Sequence, residues 1–282
     1  MTSLAKRLVL TFTAIPALFS LIYFLPFRHH LAFSLLVMAS AAIGTYEIKN
    51  IMFSPDEKPL MPFWTAAFLP MAEYLHIEFF PTFPISDSVL CLLMVIAFSF
   101  EIIKGGQDNF KHTLHRLSHS AILIFYPGFL MIYIVRLLAL QNSTYLILML
   151  FLLVFGNDTC AYVFGMLFGK SNRNIFAVSP NKSLAGFIGG TIGTIALSIV
   201  YVRLVPSMQS IFTGWQAALL GLIIAFSSDT GDLIESSFKR GAGVKDSGHI
   251  IMGRGGLMDS IDSLIASAPF FLIFTLLSIG VR

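Results

Sequence analysis

The chain has 282 residues, 56% of them hydrophobic and 12% charged, and its mean hydropathy is +0.81. This composition excludes an ordinary water-soluble domain and is typical of a protein embedded in a membrane. The formal net charge of +3 is small. The cations cluster in alternate loops, a pattern that sets the orientation of a membrane protein. The net charge therefore gives no reason to expect a nucleic-acid partner.

Apolar stretches recur along the chain, and most of them are long enough to cross a hydrocarbon core of about 30 Å. Because backbone polar groups must be satisfied within the bilayer, we expect helices rather than strands. The sequence therefore predicts an all-α, polytopic integral membrane protein, a single domain over residues 1–282 with about nine spans. The predicted spans are 8–27, 31–48, 60–73, 88–103, 120–140, 144–168, 184–205, 212–231 and 264–281.

Most of the 18 lysines and arginines fall in alternate loops between these spans. The positive-inside rule places those loops in the cytoplasm. We therefore expect a cytoplasmic N-terminus, with both long polar segments of the second half on the same side. The part of the chain over 144–282 is the polar-rich half, and we expect the chemistry there.

Asn157 and Asp158 lie in the middle of the predicted span 144–168. A carboxylate at that depth is costly and must face the bundle interior or a wet cavity. These residues are candidates for substrate binding, with a purely structural, hydrogen-bonded Asp158 as the alternative.

The next polar segment runs from Gly169 to Gly190 and contains Ser179 and Lys182 just before an apolar helix. Glycines, a hydroxyl and a lysine at a helix start are groups that bind phosphate. The spacing is not that of a Walker motif, so an ordinary cytoplasmic loop is an equally good interpretation.

Residues 231–263 hold five carboxylates and four cations between two apolar stretches. If the span 212–231 continues as a helix, Asp229, Asp232 and Ser236 share one face, and Asp259 and Asp262 share another before the last span. Two helix ends with carboxylates and a basic, Gly-rich segment between them suit Mg²⁺ and a phosphate-bearing substrate. A solvated loop with surface ion pairs is the alternative.

Here the sequence resembles the phosphatidate cytidylyltransferases, or CDP-diacylglycerol synthases. The pattern S-x-x-K-R-x-x-x-x-K-D-x-G followed by G-G-x-x-D-x-x-D is shared, as are N-D-T-x-A-Y and S-P-x-K-S upstream. The residues that carry it are Asn157, Asp158, Thr159, Ala161, Tyr162, Ser179, Pro180, Lys182, Ser183, Ser236, Lys239, Arg240, Lys245, Asp246, Gly248, Gly255, Gly256, Asp259 and Asp262.

The resemblance implies transfer of a cytidylyl group from CTP to phosphatidate, releasing pyrophosphate, with Mg²⁺ as the cofactor. It implies Asp232 and Asp259 as metal ligands, and Asp246 as a residue that organises the site. It further implies phosphate-binding or substrate-binding roles for a larger set: Asn157, Asp158, Ser179, Lys182, Ser236, Lys239, Arg240, Lys245, Gly255, Gly256 and Asp262.

CTP, phosphatidate and the lipid bilayer are thus the expected partners, and a homodimer is allowed. The expected location is the cell inner membrane, with the active site facing the cytoplasm.

Four positions depart from the family pattern. Ala185 stands where the family has Glu, Arg254 where it has His, and Ser260 and Met166 where it has Arg. We hypothesise that Arg254 supplies the phosphate-binding charge missing at Ser260. The alternatives are an inactive homologue, a CTP-dependent kinase of polyprenol-type lipids, and an ion-coupled transporter that uses Asp158 and Asp229.

Overall fold

The computed structural model describes residues 3–53, 59–251 and 255–280, with side chains from residue 13 onward. The described backbone is helical, with two isolated bridges and no strand. The prediction of an all-α membrane protein is confirmed. The α-helices are α1 (Ser3–Phe24), α2 (Phe27–Met52), α3 (Phe68–Phe79), α4 (Ile85–Gly105), α5 (Thr113–Ile124), α6 (Leu130–Arg136), α7 (Ser143–Phe168), α8 (Leu184–Leu204), α9 (Pro206–Gln209), α10 (Gly214–Gly241) and α11 (Met258–Gly280).

Seven helical segments of the described chain are long and apolar enough to cross a membrane. Six of them are α2, α4, α7, α8, α10 and α11, and the seventh runs over Thr113–Ala139. That segment joins α5 and α6 through a π-helical turn, Phe125–Phe129. The turn contains Pro127, which has no N–H to donate, and a π turn is a common way to accommodate such a break.

The predicted spans 8–27 and 60–73 are not among these seven segments. The first corresponds to α1, which has 22 residues, but only Thr13–Phe24 of it has described side chains. The predicted span 60–73 corresponds to a 3₁₀ turn, Phe63–Ala67, followed by α3, which has 12 residues. At 1.5 Å per residue, α3 alone is too short to cross about 30 Å of hydrocarbon.

The chain divides into two compact units. The first unit comprises Met1–Ala139 with Asp246–Asp259, and the second comprises Leu140–Lys245 with Ser260–Arg282. The first unit has an apolar core on which α3, α4, α5 and α6 converge. The buried members of this core are Leu60, Met61, Leu69, Leu93, Ala97, Ile124 and Ile132.

In the second unit, α7, α8 and α10 pack closely through glycines. A Cβ added at Gly186 would lie 2.8 Å from the Ala161 carbonyl oxygen, and one at Gly221 would lie 2.7 Å from the Cα of Ile195. Small residues let helix backbones approach one another in a membrane, where van der Waals contact replaces the hydrophobic effect. This packing brings the polar ends of α8 and α10 together.

Candidate active site

A lysine and two aspartates form the polar centre of the second unit. Lys182 Nζ lies 3.1 Å from Asp229 Oδ1 and 2.8 Å from Asp232 Oδ2. Asp229 is 7% exposed, whereas the Asp232 side chain keeps 36% of its exposure. One cation is therefore shared by a buried carboxylate and a more accessible one.

Local sequence explains this placement. Ser183 begins α8 by accepting a hydrogen bond from the N–H of Gly186 at 3.1 Å, which leaves Lys182 in the loop just before the helix. α10 does not end at residue 231, where the predicted span ended, but continues to Gly241. Asp229 and Asp232 are three residues apart on that helix and therefore share a face, as predicted.

The two aspartates decide the charge state of Lys182. Burial lowers the pKa of its ammonium, but the charges of Asp232 and Asp229 outweigh that effect and hold the pKa above its usual value. Lys182 is therefore a fixed cation near neutral pH. Such a group can also attract a phosphate.

The donor set at this centre suits Mg²⁺. Asp229 Oδ2 is buried and has no hydrogen-bond partner among the described residues, while Oδ1 faces Lys182. Mg²⁺ is commonly bound by one or two carboxylates and completes its shell with water and substrate phosphates. The part of the chain that the structure describes contains no cluster of three or more Asp, Glu, His or Cys side chains placed to hold a metal. Two carboxylates with an orphaned oxygen fit that partial kind of site.

Asn157 and Asp158 point to different sides of α7. Asn157 is fully buried, and its Oδ1 accepts a hydrogen bond of 3.1 Å from Thr194 Oγ1 on α8. A Cβ added at Gly190 would lie 2.9 Å from the same oxygen. Asp158 is exposed. Asn157 therefore helps to join α7 to α8, and Asp158 is the more accessible of the pair.

Lys239 is less available for phosphate than the sequence suggested. It is 9% exposed, and its Nζ lies 3.0 Å from Glu235 Oε2 one turn earlier on α10. Glu235 is fully buried and is hydrogen-bonded to Asp262, which lies in the part of α11 that belongs to the second unit. The Lys239–Glu235–Asp262 group is thus an internal charge network between two helices of the second unit.

The other basic candidates of the second unit are accessible. Arg240 is exposed, and its Nε donates to the carbonyl oxygen of Val178 at 3.3 Å, next to Ser179. Lys245 is exposed as well, and Ser236 is half-buried. The structure thus brings Ser179 and Arg240 close together and leaves two cations open to a ligand.

The remaining candidates belong to the first unit, in a segment we call the signature loop, residues 246–258. Asp259 Oδ2, just after it, accepts hydrogen bonds from Ser247 N at 2.9 Å, Ser247 Oγ at 2.9 Å and Gly256 N at 2.8 Å. Asp259 therefore ties the two described parts of the loop together. Arg254, proposed above to carry phosphate-binding charge, lies outside the described residues.

The backbone geometry at position 255 requires a glycine. Its φ of +101° is in a region that side chains rarely adopt, and a Cβ there would lie 2.7 Å from Asp259 Oδ2 and 3.1 Å from the Cβ of Asp246. Asp246 itself is exposed. The paired glycines of the signature therefore let the loop fold against the Asp259 carboxylate.

Sequence reasoning missed Glu47 of α2. This carboxylate is 2% exposed and accepts hydrogen bonds of 2.9 Å each from the N–H groups of Leu257 and Met258, with Oε1 and Oε2 respectively. The available signal was a lone glutamate near the end of the apolar run 31–48, since an ionisable residue in a span usually has a specific partner. Its partner could not be read from local sequence.

The helices and the charged centre together define a polytopic membrane protein whose polar groups suit a phosphate-bearing ligand. The model of the Cytidylyltransferase family matches residues 5–278. The chain therefore belongs to the cytidylyltransferase family, and the resemblance seen in its motifs is confirmed.

Individual relatives are similar over much of the chain. An uncharacterized protein of Escherichia coli, YnbB, is 37% identical over 62% of this chain and 57% of its own length. A phosphatidate cytidylyltransferase of Staphylococcus haemolyticus is 39% identical over 64% of this chain and 65% of its own length. The chain thus spans less than two thirds of these two relatives. A phosphatidate cytidylyltransferase of Haemophilus influenzae is 32% identical over 90% of this chain and 92% of its own length.

Proposed function

We propose that this protein is a phosphatidate cytidylyltransferase, which transfers a cytidylyl group from CTP to phosphatidate and releases pyrophosphate. The observation that carries the proposal is the meeting of Lys182 with Asp229 and Asp232, at distances of 3.1 and 2.8 Å, in a chain of the cytidylyltransferase family. Relatives from two bacteria, Staphylococcus haemolyticus and Haemophilus influenzae, carry this name, which supports a place in the bacterial inner membrane.

The reaction needs little covalent participation from the protein. An oxygen of the phosphatidate monoester forms a bond to the α-phosphorus of CTP, and the bond from that phosphorus to the bridging oxygen breaks, releasing pyrophosphate. Because the second pKa of such a monoester is about 6, its oxygen is already largely deprotonated near neutral pH. The protein must therefore align two anions and balance their charge.

The accessible cations supply that balance. Lys182, Arg240 and Lys245 lie in or beside polar segments that leave them at least partly exposed. We assign them to the nucleotide and lipid phosphates. A lysine binds phosphate as a point charge, and an arginine can bind two of its oxygens at once. Lys239 acts indirectly, by neutralising Glu235.

Mg²⁺ is the proposed cofactor, with Asp232 and Asp259 as its ligands and Asp229 as a further carboxylate at the same end of α10. When bound, the ion would offset negative charge on the triphosphate and the leaving pyrophosphate. The exposed side chain of Asp232 and the orphaned Oδ2 of Asp229 support a metal at that end of α10, and Asp259 is assigned from the family resemblance.

The direct test is to incubate purified protein with phosphatidate, Mg²⁺ and CTP labelled at either the α- or the γ-phosphorus. The proposal expects α-label in the lipid and γ-label in pyrophosphate. Lipid carrying γ-label would instead identify a CTP-dependent lipid kinase. Absence of both products, with ion flux in proteoliposomes that lack CTP, would identify a transporter.

The variant Asp259→Asn tests the metal assignment. Its side-chain carbonyl can still accept the bonds that Ser247 and Gly256 donate to Oδ2, so we expect a folded protein. Because a neutral amide is a poor Mg²⁺ ligand, turnover should fall by about 100-fold or more. Asp87→Asn is the matched control, since that carboxylate is 63% exposed and lies outside the signature. Near-normal turnover of Asp259→Asn would remove it from the metal site.

A further inference from the structure

We infer that Glu47 is a positioning residue that clamps the signature loop from α2, a helix that contains none of the sequence motifs named above. This inference rests on the proposed function, because its importance for turnover depends on the loop's role in cytidylyl transfer. The contact itself is a feature of the first unit and can be tested without any activity.

The clamp has two points of attachment. Glu47 Oε1 accepts the N–H of Leu257 at 2.9 Å, and Oε2 accepts the N–H of Met258 at 2.9 Å. Met258 is the first residue of α11, so these N–H groups belong to the unpaired donors at a helix start. A carboxylate there is also favoured by the positive end of the helix dipole.

The loop is shaped to admit this carboxylate. A Cβ added at Gly248 would lie 2.6 Å from Glu47 Oε1, and one at Gly256 would lie 2.6 Å from Oε2. Ser247 Oγ also lies 3.5 Å from Oε2. Glycines of the signature therefore provide room for Glu47 as well as for Asp259, which explains why two of them stand at close approach to α2.

Neighbouring residues of the loop bind the two carboxylates. Ser247 and Gly256 donate to Asp259 Oδ2, and Leu257 and Met258, which follow Gly256 directly, donate to Glu47. Loss of the clamp should therefore loosen the backbone that orients Asp259. Groups that orient metal ligands commonly change metal affinity or activity about 10–100-fold when removed.

Glu47→Gln is the sharpest variant, because it keeps the shape of the side chain but removes the charge and one of the two acceptors. Glu73→Gln is the matched control. Glu73 is also a glutamate of the first unit, 3% exposed, but it pairs with Arg136 at 3.1 Å rather than with the loop. Both variants remove one buried carboxylate from the same unit.

The first measurement is amide hydrogen exchange of the detergent-purified protein, read on peptides that cover residues 247–258. In Glu47→Gln we expect at least one of the Leu257 and Met258 amides to exchange about 10-fold faster or more. Exchange in Glu73→Gln should match the wild type there. Wild-type exchange in Glu47→Gln would overturn the inference.

The second measurement is the Mg²⁺ concentration that gives half-maximal turnover. A merely structural defect lowers the amount of active protein without moving this concentration. Glu47→Gln should raise it by about 10-fold, and Glu73→Gln should not. An unshifted Mg²⁺ dependence in an active Glu47→Gln protein would overturn the positioning role.

Glu47→Asp completes the set and replaces Glu47→Gln if that variant does not fold. Its shorter carboxylate cannot reach both N–H groups without a backbone shift, so amide exchange should rise by about 3-fold or more. The Mg²⁺ concentration for half-maximal turnover should lie between those of the wild type and Glu47→Gln. Wild-type exchange in this variant would also contradict the clamp. If the wild type transfers no label to lipid, the proposed function fails, and the exchange result still decides the inference.

Discussion

The shared lysine explains how two aspartates can stand together at the end of an apolar helix. Asp229 is almost fully buried, and an unpaired charge there would be strongly unfavourable. Because the aspartates raise the pKa of Lys182, its ammonium is charged at neutral pH and contributes fully to the stability of the folded protein. This contribution is lost only as the pH rises through the raised pKa, above the usual range of lysine.

Removing this cation should therefore affect stability as well as activity. We expect Lys182→Met to lower the free energy of unfolding by about 1–3 kcal/mol, because Asp229 is left buried without its partner. Turnover should fall at the same time, since the phosphate-binding charge is lost. Equilibrium unfolding in detergent and label transfer from CTP measure the two effects separately.

A double variant separates the two roles. Adding Asp229→Asn removes the uncompensated carboxylate, so most of the lost stability should return while turnover stays low. If Lys182→Met alone is as stable as the wild type, the ion pair is not important for folding. If the double variant regains turnover, Lys182 does not bind a substrate phosphate.

At the residue level, the sequence draws attention to candidates whose chemistry is visible in local order. Lys182 and Asp232 were picked out by a helix start and by i, i+3 spacing, and the structure brings them together. Glu47 could not be found in this way, because its partners at Leu257 and Met258 lie far along the chain. The burial of Lys239 was missed for a similar reason, since no local pattern shows that Glu235 faces inward.

At the scale of elements, α10 and α11 pack through small residues in the second unit. Ser263 Oγ donates to the Ser228 carbonyl oxygen at 2.9 Å, and the hydroxyls of Ser227 and Ser267 lie 3.0 Å apart. About one turn further along α10, a Cβ added at Gly231 would lie 2.6 Å from the carbonyl oxygen of Asp262. Backbone meets backbone at that point, directly beside Asp232.

Gly231→Ala should force these two helices apart. We expect a loss of about 1–3 kcal/mol in unfolding free energy, as for other over-packed interiors, and a fall in turnover because Asp232 is the next residue. Gly214→Ala is the matched control on the same helix, since a Cβ there meets nothing within 4 Å. Equal stability of the two variants in detergent would show that the close approach is not tight.

Helix type was easier to predict than helix ends. The predicted span 212–231 stopped where charged residues lower the hydropathy, yet α10 runs on to Gly241. Within that extension Lys239 pairs with Glu235 one turn away. Such an i, i+4 ion pair stabilises the helix where apolar side chains become fewer. A hydropathy profile marks the part of a helix that suits lipid. It does not show that the helix continues where charged residues are paired inside the protein.

At the scale of the whole molecule, orientation in the membrane remains a prediction from charge placement. Seven described segments are suited to cross the bilayer, whereas the sequence suggested about nine. The difference concerns α1, whose side chains are described over only part of its length, and the short helix α3. The side of the membrane on which the active site lies does not depend on that difference. It depends on which side of the membrane the Lys182 end of α8 faces.

Cysteine accessibility decides this point, because α8 has an exposed serine in the loop at each end, Ser171 before it and Ser210 after it. In a background with Cys91→Ala and Cys160→Ala, the positive-inside rule predicts that Ser171→Cys reacts with an impermeant maleimide only in inside-out vesicles. Ser210→Cys should react only in right-side-out vesicles or intact cells. The reverse pattern would place Lys182 and its aspartates on the outer face, away from cytoplasmic CTP. Such a result would contradict the proposed enzyme at its cellular location even if the purified protein transferred label.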